Sequence, residues 1–133
     1  MKIFECKNCG KEKKWSYSST NTYCSNNCQR EAQTTERIRE WLEEGKDWKL
    51  AVPKWAVKHL SDTRGYACEC CGISEWNGNS ITLEVDHIDG QSTNNDVNNL
   101  RLICPNCHSQ TDTYKNRNKG NGKSYRKKYY MPV

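Results

Sequence analysis

Long apolar runs are missing from this sequence. No stretch approaches the roughly 20 consecutive apolar residues that cross a bilayer, so no segment is expected to span a membrane. The start, Met1-Lys2-Ile3-Phe4-Glu5, likewise has no apolar run of signal-peptide length. Bulky apolar residues are scarce throughout: 34% of the 133 residues are hydrophobic, phenylalanine occurs once, and the mean hydropathy is −1.08. That composition excludes a large core and leaves room for one small domain or two mini-domains. Internal repeats and low-complexity linkers are absent as well. From 115 to 128 there is no acid at all, although the region carries seven of the chain's Lys and Arg residues.

Cysteine is what the chain has instead. Nine cysteines are an odd number for a secreted disulfide scaffold, and eight of them fall into two quartets at zinc spacings. One is Cys6-x-x-Cys9 with Cys24-x-x-x-Cys28; the other is Cys68-x-x-Cys71 with Cys104-x-x-Cys107. Four thiolates close a tetrahedral Zn²⁺ site, and such closed sites are structural, replacing core volume with metal staples. Two Zn²⁺ ions and a reducing, cytoplasmic setting are therefore expected. Cys70 is left over as a buried or spare thiol.

Hydrophobic periodicity places the quartets on elements. The first, with Trp15, Tyr17 and Tyr23 inside it, resembles a treble-clef or zinc-ribbon finger whose last ligand sits on a helix. Lys7, Lys11, Lys13 and Lys14 crowd its first knuckle, as a phosphate-contacting surface or a solvated charged face. From 25 to 44 the pattern is helical, with Ile38, Trp41 and Leu42 on one stripe, and Gly45 stops it. The stripe is too short for a coiled coil, which favours a connector over an oligomerisation surface or a helix simply packed on the next one. Pro53 suits the first position of a short helix running to about Leu60. Trp48, Leu50, Trp55, Val57 and Leu60 read as core, and His59 as structural.

Between the second pair of half-sites, Ile81-Thr82-Leu83-Glu84-Val85 alternates like a half-buried strand and Asp89-Gly90 marks a turn. A polar loop spans 91–98, Leu100-Arg101-Leu102-Ile103 reads as a second strand, and a helix is expected from about Cys107 to Lys115. On that helix His108 and Asp112 would share a face with Thr111 and Lys115. The runs Leu83-Glu84-Val85-Asp86-His87-Ile88-Asp89-Gly90 and Asn98-Asn99-Leu100-Arg101-Leu102-Ile103-Cys104-Pro105-Asn106-Cys107-His108 resemble HNH endonucleases of the ββα-metal type. The resemblance covers about half the chain and is nearest to the small HNH proteins of phages, several of them homing endonucleases.

That resemblance implies an α+β fold: a small zinc-stabilised ββα-metal nuclease unit, with the N-terminal finger and connecting helices as additions. It implies hydrolysis of double-stranded DNA to 5′-phosphate and 3′-hydroxyl ends. An ordinary imidazole exchanges a proton near neutrality, so His87 would be the general base. Asp86 and His108 would hold Mg²⁺ or Mn²⁺, and Asn99 would tie the loop to the first strand and orient the histidine. Asp112 is either a third ligand of that ion or an exposed helix carboxylate; Asp89 shapes its turn. Strict alternation puts Asp86 and His87 on opposite strand faces, so their convergence requires the strand to end or bulge there, and it rests on the resemblance.

The expected organisation is a finger with its connector helix at 1–45, the nuclease domain at 46–118 and a basic arm at 119–133. Arg117, Lys119, Lys123, Arg126, Lys127 and Lys128 of that region are the expected DNA contacts, consistent with a net charge of +5. Either a monomer or a homodimer fits. The alternative function is a non-catalytic zinc DNA-binding protein or an accessory subunit of a phage packaging complex.

Overall fold

A computed structural model of the chain describes residues 1–45, 48 and 51–118. Its contacts separate two units, Met1–Glu40 and Trp41–Val133. Leu50 and the basic arm, including Lys119, Lys123, Arg126, Lys127 and Lys128, lie outside the described residues. Among the described residues no helix is long and apolar enough to cross a membrane.

The first unit opens with an antiparallel hairpin of β1 (Ile3–Glu5) and β2 (Glu12–Lys14), in register Ile3 to Lys14. Between the strands the chain turns tightly: the Gly10 N–H donates to the Cys6 carbonyl at 2.9 Å. Gly10 sits at φ +73°, where a side chain would be strained. Helix α1 (Asn26–Glu44) follows, capped by the Ser25 hydroxyl, which accepts the Cys28 N–H at 3.2 Å. Cys28 therefore lies in the first turn of a helix, as the finger resemblance implies. Gly45, at φ +72°, ends α1 by donating its N–H to the Trp41 carbonyl. Within 1–40 Cys6 is the one buried residue, so this unit has no apolar core to hold it.

The second unit does have a core. Helix α2 (Lys54–Arg64) begins after Pro53 and runs a turn beyond Leu60, until Gly65 supplies the first residue able to take φ +88°. Trp41, Ala56, Leu60, Leu100 and Leu102 are buried together, with Trp48, Val52, Trp55, Val57, Leu83 and Val85 packed around them. The expected apolar residues of the 48–60 region that are described thus do serve as core. Trp41 meets the rings of Trp48, Trp55 and His59 at 5.3, 6.1 and 5.9 Å, which assigns His59 to packing. Arg64 staples the end of α2, donating to the carbonyls of Leu100 at 2.7 Å and Val97 at 2.8 Å.

Next comes a hairpin absent from the sequence reading, β3 (Glu75–Trp76) and β4 (Asn79–Ser80). Asn77 and Gly78 both take positive φ, the two-residue turn that suits strand twist. It displaces the expected strand 81–85. The Ile81 N–H donates back to the Ser74 carbonyl, and the ladder forms later, between β5 (Glu84–His87) and β6 (Leu100–Ile103). The pairs are Glu84 with Ile103, Val85 with Leu102, Asp86 with Arg101 and His87 with Leu100.

The expected helix from 107 to 115 is corrected as well. Helix α3 spans Pro105–Ser109, with Pro105 at its start and the Cys104 Sγ accepting the Cys107 N–H. Around its end Ser109 Oγ donates to Asn106 O and Thr111 Oγ1 to His108 O. The Arg117 guanidinium donates to the carbonyls of Ser109 and Thr111. Asp112 is consequently exposed in the turn beyond α3, and no helical face joins it to His108.

Asp89 organises the loop between β5 and β6. Its Oδ1 accepts from the Gln91 N–H at 2.8 Å and from Asn99 Nδ2 at 2.9 Å, and its Oδ2 from Asn94 Nδ2 at 2.7 Å. Burial opposes the charge, but these donors and nearby His87 hold the carboxyl below its ordinary value. Its stabilising contribution is therefore complete above the ordinary carboxylate range and lost as pH falls through the lowered value. Asp89→Ala is expected to cost about 1–2 kcal/mol, discounted for solvent exposure. Urea unfolding of the zinc-loaded proteins at pH 7 checks this: the midpoint should fall in Asp89→Ala with the slope unchanged.

Candidate metal and nuclease site

Strand period sorts the site residues. Glu84 and Asp86 share one face of β5, while Val85 and His87 share the other, where Val85 joins the core. β5 pairs regularly through His87 and ends there, the Gly90 N–H closing a turn on the His87 carbonyl at 2.8 Å.

On the first face Asp86 is nearly fully buried, at 4% exposure. A buried carboxylate needs a partner, and Arg101, opposite it on β6, supplies Nε to Oδ2 at 2.6 Å. Burial works against the Arg101 charge, yet Asp86 raises its pKa, so the guanidinium stays protonated. Asp86 Oδ1 is left facing His108 Nε2 at 3.7 Å. Two donors at about 2.1 Å from one ion can be up to about 4.2 Å apart, so this pair fits Mg²⁺ or Mn²⁺. Glu84 enters from the same strand face, its Oε2 lying 2.6 Å from His108 Nδ1. Tyr114 packs edge-on against the His108 ring at 5.3 Å.

On the other face His87 is half-buried, with Nε2 2.8 Å from Asn95 Oδ1. Asn99 does not take that place. Its Oδ1 accepts the Asp89 N–H at 3.1 Å, its Nδ2 donates to Asp89 and to the Asn94 carbonyl, and its own carbonyl accepts the Ile88 N–H. It ties the loop to the end of β5.

The structure thus brings Asp86 and His108 together, keeps His87 on the opposite face at the end of β5, and leaves Asp112 outside. Sequence reasoning missed four neighbours. Glu84 was signalled by its two-residue spacing from Asp86. Arg101 needed the register, Asn95 was one asparagine among many, and Tyr114 was hidden by the overlong helix.

Both cysteine quartets assemble. In each, the four Sγ atoms lie within 4.8 Å of one another, and every cysteine is free. The separations of 3.6 Å for Cys9–Cys24, 3.4 Å for Cys24–Cys28 and 3.8 Å for Cys71–Cys104 approach the edge of about 3.8 Å for a tetrahedron with Zn–S bonds of about 2.3 Å. Backbone donors are already aimed at the sulfurs: Cys68 Sγ accepts from the N–H of Cys104 at 3.2 Å and of Cys71 at 3.5 Å. Burial raises the Cys68 thiol pKa, but those donors outweigh it and bring it down to about 6. Cys6 is lowered to about 6 in the same way, burial being outweighed by the backbone of Cys9, Cys24 and Asn8. Side-chain bonds to neighbouring sulfurs push Cys107 up, and Cys24 up to about 12. Four crowded sulfurs cannot all ionise unaided; a dication resolves the conflict. The ninth cysteine, Cys70, is exposed.

Comparison with known proteins agrees. Residues 68–113 match the family described as HNH endonuclease. A curated relative, the H-N-H endonuclease F-TflIV of Escherichia phage T5, is 46% identical over 55 residues, which are 41% of this chain and 24% of the phage protein. The chain therefore spans about a quarter of the relative it matches. No solved structure matches it.

Proposed function

From the match of residues 68–113 to the HNH endonuclease family, we propose that the chain is a metal-dependent DNA endonuclease of phage type, acting as a nicking or homing-type enzyme on double-stranded DNA. One observation carries the reading: Asp86 Oδ1 and His108 Nε2 stand 3.7 Å apart, at the strand whose last residue is His87. Asp86 and His108 would hold Mg²⁺ or Mn²⁺, with Arg101 fixing the second oxygen of Asp86 and Tyr114 the plane of His108. When bound, the ion supplies positive charge to a non-bridging phosphate oxygen and to the leaving oxygen. His87 takes a proton from the attacking water as the new P–O bond forms and the P–O3′ bond breaks; O3′ leaves as an oxyanion that takes a proton from solvent water to become the hydroxyl, and the phosphate stays on the 5′ end. Asn99 keeps the loop in place behind His87, and the zinc sites keep the frame rigid. The basic residues from Arg117 through Lys128 would follow the DNA backbone.

The test is nicking of supercoiled plasmid by zinc-loaded protein as Mg²⁺ or Mn²⁺ is added. Cleavage should depend on the added ion and fall on the order of 10²-fold in Asp86→Ala. A folded wild-type protein that binds DNA and cuts it with neither ion would instead be the DNA-binding or packaging component.

A further inference from the structure

Resting on the nuclease reading above, we propose that Asn95 is a positioning residue for His87: its side-chain oxygen accepts the Nε2 proton and thereby presents Nδ1, unprotonated, to the water. The contact is 2.8 Å between His87 Nε2 and Asn95 Oδ1. A neutral imidazole carries one proton, so a proton committed to Nε2 leaves Nδ1 as the basic nitrogen. Accepting the water's proton then makes the imidazolium, with Nε2 still bonded to Asn95. Without this acceptor the ring is free to place its proton on Nδ1, or to turn about its side-chain bonds, and either removes the base from the water.

Asn95 is built to hold that oxygen still. It is 2% exposed, although it sits in the polar loop between β5 and β6, and asparagine is seldom so buried. Its carbonyl accepts the indole Nε1–H of Trp41 at 2.6 Å, and Trp41 is itself buried among Trp48, Trp55 and His59. The loop is thus pinned to the aromatic core at the residue whose side chain meets His87. The neighbouring Asn94, by contrast, is exposed and its side chain serves Asp89. Asn95 Nδ2, buried, finds no hydrogen-bond partner. Oδ1, bonded to His87, is thus the side-chain atom through which Asn95 acts.

The experiment has two arms on the full zinc-loaded chain. The first is two-bond ¹H–¹⁵N NMR of the histidine rings, without Mg²⁺ and at a pH where they are neutral. His87 should be a single Nε2–H tautomer with a slowly exchanging ring proton. In Asn95→Leu that proton should exchange fast and the tautomers should mix, while Asn95→Asp, which keeps an acceptor, should preserve the wild-type spectrum. The second arm is plasmid nicking in Mg²⁺. Asn95→Leu should lower kcat about 10- to 100-fold with KM within twofold, and Asn95→Asp should stay within about fivefold of wild type. A wild-type His87 carrying its proton on Nδ1 overturns the proposal, and that reading needs no variant to fold. So does an Asn95→Leu protein that is folded and cuts at the wild-type rate. If no divalent ion supports cutting, the nuclease reading fails, while the NMR arm still decides the His87–Asn95 contact.

Discussion

His87→Ala is expected to cut the rate of plasmid nicking by about 10²–10⁴-fold, the usual contribution of a positioned general base. The change should leave the protein folded. His87 is the last residue of β5, half-buried, and outside both clusters of buried apolar residues; its hydrogen bond is to the Asn95 side chain. Removing the ring leaves Asp86, His108 and the eight cysteines of the two quartets in place, so the ion and the zinc should still bind. The loss should fall on kcat and spare KM, because the base acts on the water and not on DNA affinity. Single-turnover nicking with matched zinc content and matched circular dichroism makes the comparison. A variant that keeps its structure, its zinc and its rate would remove His87 from the reaction and leave the assignment without a base.

Cys68→Ser should have a larger effect of another kind, loss of the folded second unit. Cys68 is buried with Ile103 and Cys104, and Ile73, Ile81, Leu83 and Cys107 close around that cluster. A structural zinc contributes apparent binding free energy of about 10–16 kcal/mol, and a domain of this size has about 5–15 kcal/mol of net stability, so the metal is not a marginal supplement. Serine keeps the shape but gives up the sulfur that the Cys71 and Cys104 N–H groups address. The pH dependence follows from the same donors. The Cys68 thiol is lowered from 9.0 to about 6, so its preference for the thiolate is complete above 9.0 and disappears as pH falls through about 6. Zinc release on acidification should be followed by unfolding. Metal content by mass spectrometry alongside near-ultraviolet circular dichroism tests both: a Cys68→Ser protein that retains two zinc ions and its aromatic signal would contradict this account.

How much of this could be read beforehand depended on what kind of signal each residue carries. Cysteine spacing is a local geometric signal, and both quartets assembled as their spacings required. The β6 strand and the stop at Gly45 were likewise local, a short apolar run and a residue free to take positive φ. Asp86 and His108 were legible through resemblance, because their separation along the chain hides a 3.7 Å approach. What misled was competition between local preferences. α3 ends at Ser109, where the polar pattern alone allowed another turn and a half, and hydroxyls there bond the carbonyls at 106 and 108. Asn77-Gly78 was a readable turn, but its strands are two residues long, too short for alternation to appear. Asn95 was the hardest. A run rich in asparagine looks uniformly like loop, and only the indole of a tryptophan 54 positions earlier singles one out.

The pairing of Arg101 with Asp86 bears on which cation the proposed site would accept. With Oδ2 tied to the guanidinium, this side chain has one oxygen to lend, on a backbone position clamped in a ladder. Calcium often grips carboxylates by both oxygens and gathers six to eight donors, and it would find half a handhold here. A smaller octahedral ion, content with single-point attachments and much of its own hydration, loses nothing by the arrangement.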